Sequence, residues 1–328
     1  DVAGESFYNP WLADVAGELE RKGVARIDDG ALCAFPPGFT GRDGDPLPLL
    51  IRKRDGGYGY QATDLAAVRH RTGTLGADRI VYVVGAPQAT HLAMVFAVAR
   101  EAGWLAGDGG RPRAEHVPFG SVLGDDRKML KTRSGETPKL VELLDEAVER
   151  AMAAVSEKNP ALDEATRAEV ARTVGVGAVK YADLSVDRVK DYVFDWDRML
   201  AFEGNTAPYL QYAHARIRSI FRRAGAGAVA AADHSAVVVS HPAERALVLQ
   251  LLALGPVVEA VAESLQPHRL CGYLFDLAQT FTAFYESCPV LRAPDEATRR
   301  SRLALCDLTA RTLALGLGLL GIDAPDRM

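Results

Sequence analysis

One apolar run constrains the fold of the first half of the chain more than any other stretch. Residues 78–84 read DRIVYVV, and a continuous apolar run of this length is typical of a strand buried in a parallel sheet. Helices are predicted on either side of it, over Tyr60–His70 and Ala89–Ala102, and a second strand at Glu115–Phe119. Strands that alternate with helices indicate an α/β domain with a parallel sheet.

The residues before this run carry shorter signals. Apolar residues at helical spacing predict a helix over Pro10–Lys22, which Gly23 ends. Ala25–Ile27 and Ala31–Phe35 flank an Asp-Gly pair and therefore predict a hairpin. Pro48–Arg52 predicts another short strand.

The second half of the chain is predicted to be helical. The predicted helices cover Lys139–Val155, Leu162–Val174, Pro208–Ala224, Pro242–Glu263 as a pair, Pro267–Cys288 and Ser301–Leu320. No repeat of about 30 to 45 residues is present in the sequence, so the helices are expected to form a bundle. The Gly-x-Gly at residues 175–177 follows a predicted helix rather than a strand, which favours close helix packing over a phosphate site. The expected domains are residues 1–140 for the α/β part, 141–200 for a helical connection and 201–328 for the all-α part.

Composition narrows the class of protein. The chain has 328 residues, enough for two domains, and its 48% hydrophobic and 25% charged residues are normal for a soluble globular protein. Its net charge of −5 means that any nucleic-acid contact must come from local basic faces. The four cysteines lie far apart, which argues against a structural zinc site or a disulfide framework and suits a reducing cytoplasm. Neither an apolar run of membrane length nor a secretory signal is evident, so we expect no membrane partner. We also expect no DNA partner, no tightly bound cofactor and no structural metal.

A glycine-containing basic loop precedes the helical half. Gly120–Thr137 contains Arg127, Lys128, Lys131 and Arg133. Glycines let the backbone approach an anion, and cationic side chains neutralise phosphate oxygens, so the loop is suited to a triphosphate. The alternative is a solvated basic loop without a ligand.

Two further segments fall where α/β proteins place their sites, beyond the carboxyl ends of strands. Tyr60 and Asp64 are four residues apart and share one face once the helix has begun. Gln88 and His91 follow the strand DRIVYVV. The alternatives are a helix cap for Asp64 and a packed helix position for His91.

The helix predicted over Pro208–Ala224 combines aromatic and basic residues. Tyr209, Tyr212 and Arg216 are among them. Tyrosines that stack on bases, together with arginines at phosphates, are a common way to bind unpaired RNA. The alternative is a surface helix with a core stripe of tyrosine and isoleucine.

Several of these segments together resemble the arginyl-tRNA synthetases. The run KMLKTRSGET, ahead of the helix LVELLDEA, resembles their nucleotide loop, which stands in place of the Lys-Met-Ser-Lys loop of other class I synthetases. YGYQATDLAAVRHR is similar to the segment in which a tyrosine and an aspartate hold the substrate arginine. Three long segments resemble their helical anticodon-binding domain: DYVFDWDRMLAFEGNTAPYLQYAHARIRSI, HRLCGYLFDLAQTFTAFYESCPVL and LCDLTARTLALGLGLLGIDAPDRM.

The resemblance implies an arginine–tRNA ligase, which activates L-arginine with ATP and Mg²⁺ and transfers it to the 3′ end of tRNA(Arg). It also implies a Rossmann-like class I catalytic fold with a parallel sheet, followed by a helical anticodon-binding bundle, in a cytoplasmic monomer. The implied residues fall into three sets. They are Glu5, Tyr60, Asp64 and Gln88 for arginine; His91, Lys128, Lys131, Thr132 and Arg133 for ATP and the leaving pyrophosphate; and Tyr209, Tyr212, Arg216, Tyr285 and Met328 for tRNA.

The chain departs from the family pattern at two points. Thr132 stands about where the second lysine of the Lys-Met-Ser-Lys loop belongs. The seven histidines form no His-x-Gly-His pair, which class I synthetases use to hold ATP, so we expect the chain to be a C-terminal portion of a synthetase. One alternative is a non-catalytic tRNA-binding paralogue or fragment. Another is an enzyme that activates arginine for a non-ribosomal product, although the tRNA-type helical domain argues against it.

Overall fold

Residues 2–41, 43–107, 109–124, 126–128, 139–225 and 237–328 are described by the computed structural model. They divide into two units, Asp1–Phe119 and Gly120–Met328, each with a hydrophobic core of its own. The first unit is α/β and the second is helical, in agreement with the fold class predicted from the sequence. The domain bounds expected at residues 140 and 200 stay predictions.

The first unit begins with helices and an antiparallel sheet. Its first elements are a 3₁₀ helix Glu5–Trp11, α1 Leu12–Arg21, β1 Ala25–Asp28, β2 Ala31–Ala34 and β3 Leu49–Arg52. The predicted hairpin β1–β2 is confirmed, and Asp29 and Gly30 turn it with φ angles of 44° and 76°, the two positive values that a type I′ turn requires. β3 pairs antiparallel with β2, so this sheet is separate from the parallel one.

The α/β part of the first unit follows. It consists of α2 Tyr60–Gly73, β4 Arg79–Gly85, a 3₁₀ turn Ala86–Gln88, α3 Ala89–Glu101 and β5 Arg113–Phe119. β4 and β5 pair in parallel along their whole length, which confirms the predicted parallel sheet. α2 packs against α3, with Leu65, Val95 and Val98 fully buried in the core of this unit.

β4 differs from its prediction in one respect. Ile80 is buried, and Tyr82 and Val84 pack against the core. Val81 and Val83 point to the opposite face and are 40% and 66% exposed. The expectation of a buried strand is therefore met on one face only, because within the described ranges the core covers one side of this two-stranded sheet.

The second unit consists mainly of helices. Its elements are β6 Val122–Leu123, α4 Leu140–Lys158, α5 Glu164–Leu184, β7 Tyr192–Val193, α6 Trp196–Met199, α7 Ala207–Ala224, α8 Pro242–Leu252, α9 Leu254–Ser264, α10 His268–Ser287 and α11 Glu296–Leu319. β6 and β7 form a short parallel pair. Residues of α7, α8, α10 and α11 build the main core, in which Leu274 and Phe284 are fully buried. This arrangement confirms the predicted helical bundle.

Two glycines lie inside α5, because this helix continues to Leu184, beyond its predicted end at Val174. A Cβ atom on Gly175 would lie 2.6 Å from the carbonyl oxygen of Ala147 in α4. The missing side chain therefore lets the backbones of α4 and α5 touch. This close approach confirms that the Gly-x-Gly serves helix packing.

α8 and α9 form an apolar helix pair at the surface. The 23-residue stretch Pro242–Ser264 has a mean hydropathy of 1.7, with 6% of its most apolar window buried, and by length and composition alone it could cross a membrane. The expectation that no apolar run reaches membrane length is therefore wrong on composition. The stretch breaks at Ala253, where α8 ends and α9 begins, and both helices pack on α10. One such stretch is weak evidence for a membrane span.

A buried ion pair links two helices of the bundle. Arg302 of α11 donates from Nε to Oε1 of Glu244 in α8 at 2.7 Å, and the two side chains are 9% and 1% exposed. Glu244 also accepts the backbone N–H groups of Ser240 and His241. Burial by itself would raise the pKa of Glu244, but Arg302 and these N–H groups hold it below its ordinary value.

Candidate functional sites

Three side chains from α2 and α3 meet in the first unit. α2 begins at Tyr60, so Tyr60 and Asp64 lie about one turn apart on the same face. His91 lies in the first turn of α3, which follows β4 and its 3₁₀ turn. Oδ2 of Asp64 is 2.6 Å from Nε2 of His91, and the rings of Tyr60 and His91 meet edge to face with their centroids 4.8 Å apart. The structure thus brings together three predicted site residues, which we call the α2–α3 cluster.

The structure bears on the alternatives for Asp64 and His91, while their predicted roles in binding stay predictions. Asp64 is not a helix cap, because Gly59 occupies the N-cap position of α2. His91 is not an ordinary packed position, because its ring nitrogen bonds a carboxylate beside the 54% exposed Tyr60. The side chains of His91 and Asp64 are 14% and 32% exposed, so the cluster is open to solvent on one side. An oriented carboxylate beside a phenol can accept hydrogen bonds from a cationic ligand.

Tyr82 of β4 lies near the cluster and is missed by the sequence-based predictions. The guanidinium carbon of Arg71 lies 5.2 Å from its ring centroid. Burial raises the pKa of Tyr82 to about 12, an effect that Arg71 opposes and the charge of Asp64 reinforces. Tyr82 is therefore a neutral phenol within electrostatic reach of Asp64. Its position inside an apolar strand gave no signal of this.

Glu5 and Gln88 lie at the ends of the two 3₁₀ segments. Glu5 is the first residue of one and Gln88 the last residue of the other, and both side chains are exposed. The first segment packs on α2, where the ring of Trp11 stacks on that of His70 with centroids 5.2 Å apart. The predicted contacts of Glu5 and Gln88 with arginine stay predictions.

The basic loop is described only in part. Lys131, Thr132 and Arg133 lie outside the described residues. Lys128 is exposed, and its carbonyl oxygen accepts the backbone N–H of Gly124 at 2.8 Å. The predicted roles of these four residues at ATP stay predictions.

α7 carries three of the five predicted RNA-binding residues of the second unit, Tyr209, Tyr212 and Arg216. Tyr209 packs against the main core, whereas Tyr212 is 41% exposed. Arg216 is also exposed, and its guanidinium carbon lies 5.1 Å from the ring centroid of Tyr285. The core-stripe alternative therefore describes Tyr209 but not Tyr212, and the exposure of Arg216 agrees with both interpretations.

A cavity of about 260 Å³ opens beside Tyr212. We call it the Tyr212 cavity, and its wall is formed by Val155, Lys158, Asn159, Phe202, Tyr212 and Met328. Nζ of Lys158 lies 4.5 Å from the ring centroid of Phe202 and 5.6 Å from that of Tyr212. Nδ2 of Asn159 donates to the backbone oxygen of Met328 at 3.0 Å. Aromatic faces, a cation and an amide in one opening suit an unpaired base.

Two family models match the chain. The model of the tRNA synthetases class I (R), catalytic domain, matches residues 1–196, which is more than half of the chain. The chain belongs to this synthetase family. A second model, the DALR anticodon binding domain, matches residues 210–328 of this class I synthetase chain. The resemblance drawn from the sequence motifs is therefore confirmed.

Two similar proteins of known family agree with these family models. The chain is 59% identical over 327 residues to the arginine–tRNA ligase of Thermobifida fusca, covering 100% of this chain and 56% of the relative. It is 52% identical over 329 residues to the arginine–tRNA ligase of Synechococcus elongatus, covering 99% of this chain and 56% of the relative. This class I synthetase chain spans about half the length of the curated relatives it matches.

Solved structures agree on the fold. The arginyl-tRNA synthetase of Plasmodium falciparum superposes with a TM-score of 0.85 at 30% identity, covering 100% of this chain and 54% of that one. The arginyl-tRNA synthetase of Thermus thermophilus gives a TM-score of 0.83 at 31% identity, covering 97% and 58%. These matches support a class I catalytic fold with a parallel sheet, followed by a helical domain, in this synthetase chain.

Two residues of the Tyr212 cavity are missed by the sequence-based predictions for this synthetase chain. Phe202 lies in AFEGNTAPYLQY, within a segment that resembles the anticodon-binding domain, so a signal for it was present. Lys158 ends α4 and looks in the sequence like a solvated cation at a helix end. Only the folded structure reveals its place next to Tyr212.

Proposed function

We propose that the chain is the arginine-selecting and tRNA-binding portion of an arginine–tRNA ligase. A carboxylate oxygen of L-arginine attacks the α-phosphorus of ATP, and pyrophosphate leaves to give arginyl-adenylate. A hydroxyl of the 3′-terminal ribose of tRNA(Arg) then attacks the arginyl carbonyl carbon, and AMP leaves. The observation that carries this proposal is the α2–α3 cluster, which lies within the region matched by the synthetase model.

In this proposal Asp64 supplies the charge that selects arginine. A guanidinium is a planar fork of five N–H donors and needs fixed acceptors. His91 engages Oδ2 of Asp64 and leaves Oδ1, together with the phenol oxygen of Tyr60, for the ligand. Glu5 and Gln88 add further acceptors. Lysine lacks the planar fork and cannot satisfy several fixed acceptors at once.

The basic loop serves ATP in this proposal. Lys128, Lys131 and Arg133 neutralise the phosphates that leave as pyrophosphate, with Thr132 beside them. ATP enters with Mg²⁺ as its substrate complex. Within the described ranges, no group of three His, Cys, Asp or Glu side chains is placed to hold a metal ion. The contact of His91 with ATP remains a prediction. In the structure, Asp64 engages Nε2 of His91.

The second unit binds the anticodon loop of tRNA(Arg) in this proposal. Tyr212 offers an exposed aromatic face at a cavity that Met328 helps to line. Arg216 and Tyr285 form a cation–π pair, and Tyr209 supports the helix from the core side. Base stacking of this kind tolerates different sequences, while the polar groups of the wall distinguish bases.

The proposed setting is the cytoplasm, with a monomeric enzyme and without a membrane or DNA partner. All four cysteines are free and buried, which suits a reducing compartment. The exposed apolar pair α8–α9 is the one feature of the described residues that argues for a membrane partner.

The first test is binding of L-arginine to this polypeptide by calorimetry, beside the Asp64→Asn variant. We expect Asp64→Asn to lose about 1.5–3 kcal/mol of binding free energy, because it removes the charge that faces the guanidinium. Asp14→Asn, on the exposed side of α1, is the control and should bind as the wild type does. Equal affinity in all three proteins would remove Asp64 from the site.

The second test is arginylation of tRNA(Arg) with ATP and magnesium. RNA binding without arginine binding or charging would favour the non-catalytic tRNA-binding paralogue. Arginine binding that is specific over lysine would favour the synthetase portion.

A further inference from the structure

Residues 322–328 run back along α7 and are held there by its side chains. We call this segment the α7 strap. Three side chains of α7, each about one or two turns from the next, donate to three of its backbone oxygens. These bonds join Gln211 Nε2 to Asp323 at 2.8 Å, His214 Nδ1 to Pro325 at 3.0 Å, and Arg222 Nη1 to Asp326 at 2.8 Å.

The inner end of the α7 strap is part of the packed interior. Gln211 is 0% exposed and Ile322 is 2% exposed. A Cβ atom on Gly177 of α5 would lie 2.9 Å from Nε2 of Gln211 and 3.1 Å from Cγ2 of Ile322, so the glycine leaves room for both. Burial lowers the pKa of His214, which keeps its ring neutral near neutral pH. The course of the strap is therefore fixed by the fold.

The outer end of the strap meets the last turns of α7 at a second cavity. This cavity has a volume of about 380 Å³ and is lined by Arg218, Phe221, Arg222, Gly225, Asp326 and Arg327. Nε of Arg218 donates to Oδ1 of Asp326 at 3.1 Å, and its guanidinium carbon lies 5.8 Å from the ring centroid of Phe221. A ring and a carboxylate, both planar, thus orient Arg218, and no hydrogen bond to another described residue engages its Nη atoms.

Among the described residues that line it, this cavity carries an excess of positive charge. Three guanidinium groups face one carboxylate among the described residues that line it. Burial lowers the pKa of Arg222, and Arg327 and Arg218 act in the same direction while Asp326 opposes them. The positive charge is local, because the whole chain carries a net charge of −5. Clustered guanidinium forks on an acidic protein point to an anion with several acceptor oxygens.

We propose that Arg218, Arg222 and Arg327 bind a backbone phosphate of RNA. The proposal rests on the RNA binding proposed above for the same unit. Tyr212 and Arg222 lie on one helix, separated by about 15 Å along its axis, so an RNA strand with a base in the Tyr212 cavity can continue along α7 to the arginines. Asp326 holds Arg218 at the wall of the cavity through its hydrogen bond to Nε.

The test is binding of a stem-loop RNA with an arginine anticodon to the full chain over a series of salt concentrations. Each phosphate contact adds roughly 0.7–0.9 to the slope of log Kd against log salt concentration. Arg327→Gln should weaken binding about 5- to 20-fold at low salt and reduce this slope by about one contact. Arg327→Lys should restore the slope but not the whole affinity, because lysine lacks the fork.

Arg311→Gln is the matched control. Arg311 is an exposed arginine of α11, 3.8 Å from a carboxylate oxygen of Asp307, and its loss should leave the slope unchanged. Arg327 is exposed as well, so its replacement leaves the buried contacts of the strap in place. A slope in Arg327→Gln equal to that of the wild type would overturn the proposal.

A second measurement separates this proposal from the proposed function. Inorganic phosphate is titrated while the Nε–H resonances of Arg218 and Arg222 are followed by NMR. Shifts in the wild type that are lost in Arg327→Gln support the site. Such shifts in a protein that binds no RNA would keep the phosphate site and overturn RNA as its occupant, and the proposed tRNA binding with it. RNA binding without these shifts would overturn the site alone.

Discussion

The two candidate sites are built in different ways. The α2–α3 cluster depends on one residue, His91, which bonds Asp64, 27 positions away in the sequence, and whose ring meets that of Tyr60. The Tyr212 cavity depends on α7, a helix whose inner side is fixed by a packed core and whose outer side is open. A site held by the contacts of one residue should respond to the loss of that residue. A site held by a core should respond to any change that destabilises the bundle. The predictions below test this difference.

The largest effect is expected for Arg302→Met. The change leaves the carboxylate of Glu244 buried without its cation, which typically costs about 3–5 kcal/mol. The free energy of unfolding of the second unit, measured by urea titration, should fall by that amount. RNA binding should weaken at urea concentrations that unfold part of the population. Arginine binding by the α2–α3 cluster should not change.

Arg150→Met is the matched control for the buried pair. Arg150 pairs with Glu146 at 2.8 Å, but both side chains are 45% exposed. Exposed pairs of this kind contribute less than about 0.5 kcal/mol. A comparable loss in both variants would show that burial does not set the energetic role of Arg302.

A smaller effect is expected for Gly175→Ala. The new Cβ atom would lie 2.6 Å from a backbone oxygen of α4, so the two helices must separate, at a cost of about 1–3 kcal/mol. Gly272→Ala in α10 meets no atom within 4 Å and should be neutral or stabilising by up to about 1 kcal/mol. Urea unfolding of both variants measures the contrast. Equal effects would mean that α4 and α5 need no close approach.

A similar or smaller effect, confined to the first unit, is expected for His91→Ala. Loss of the hydrogen bond frees the Asp64 carboxylate to rotate and should weaken arginine binding by about 0.5–1.5 kcal/mol. His91→Gln retains an N–H donor and should recover part of the loss, while the unfolding free energy of the second unit stays constant. Tighter arginine binding in His91→Ala would show that the histidine competes for Asp64 instead of orienting it.

The smallest effect is a pH dependence of the second unit. Because the pKa of Glu244 is lowered from 4.5 in the folded state, its contribution to stability is complete above 4.5 and is lost as the pH falls through the lowered value. The melting temperature, measured from neutral to acidic pH, should therefore decrease once the pH is lower than about 4.5. Glu244→Gln should melt at a lower temperature at neutral pH and lose less on acidification. Parallel curves for the two proteins would contradict this assignment.

The fold was predictable where local patterns decide it. The Asp-Gly pair specified the β1–β2 hairpin, and the apolar strand specified the parallel pairing of β4 with β5. Helical spacing located α7, α10 and α11 to within a few residues. The exposure of Val81 and Val83 was not predictable, since an apolar side chain does not reveal whether anything covers it. The extension of α5 beyond Val174 was missed because two glycines in a sequence indicate the end of a helix. The close approach of α4, which explains them, is visible only in the structure.

The candidate sites were predictable in unequal measure. Tyr60, Asp64 and His91 were found because their segments resemble a family motif, whereas their mutual contact needs the packing of α2 on α3. Lys158 and Arg327 could not be assigned from sequence, because each acquires its neighbours from distant parts of the chain. Cations at helix and segment ends are common, and only three-dimensional neighbours distinguish the few that face a cavity.

The course of the α7 strap has a practical consequence for handling the protein. Met328 lines the Tyr212 cavity, so an affinity tag or fusion partner joined after it would emerge at the mouth of that cavity. Such an extension would obstruct whatever enters, and a polyhistidine or acidic tag would also alter the local charge. Binding measurements on the second unit therefore call for a cleavable tag at the opposite end of the polypeptide.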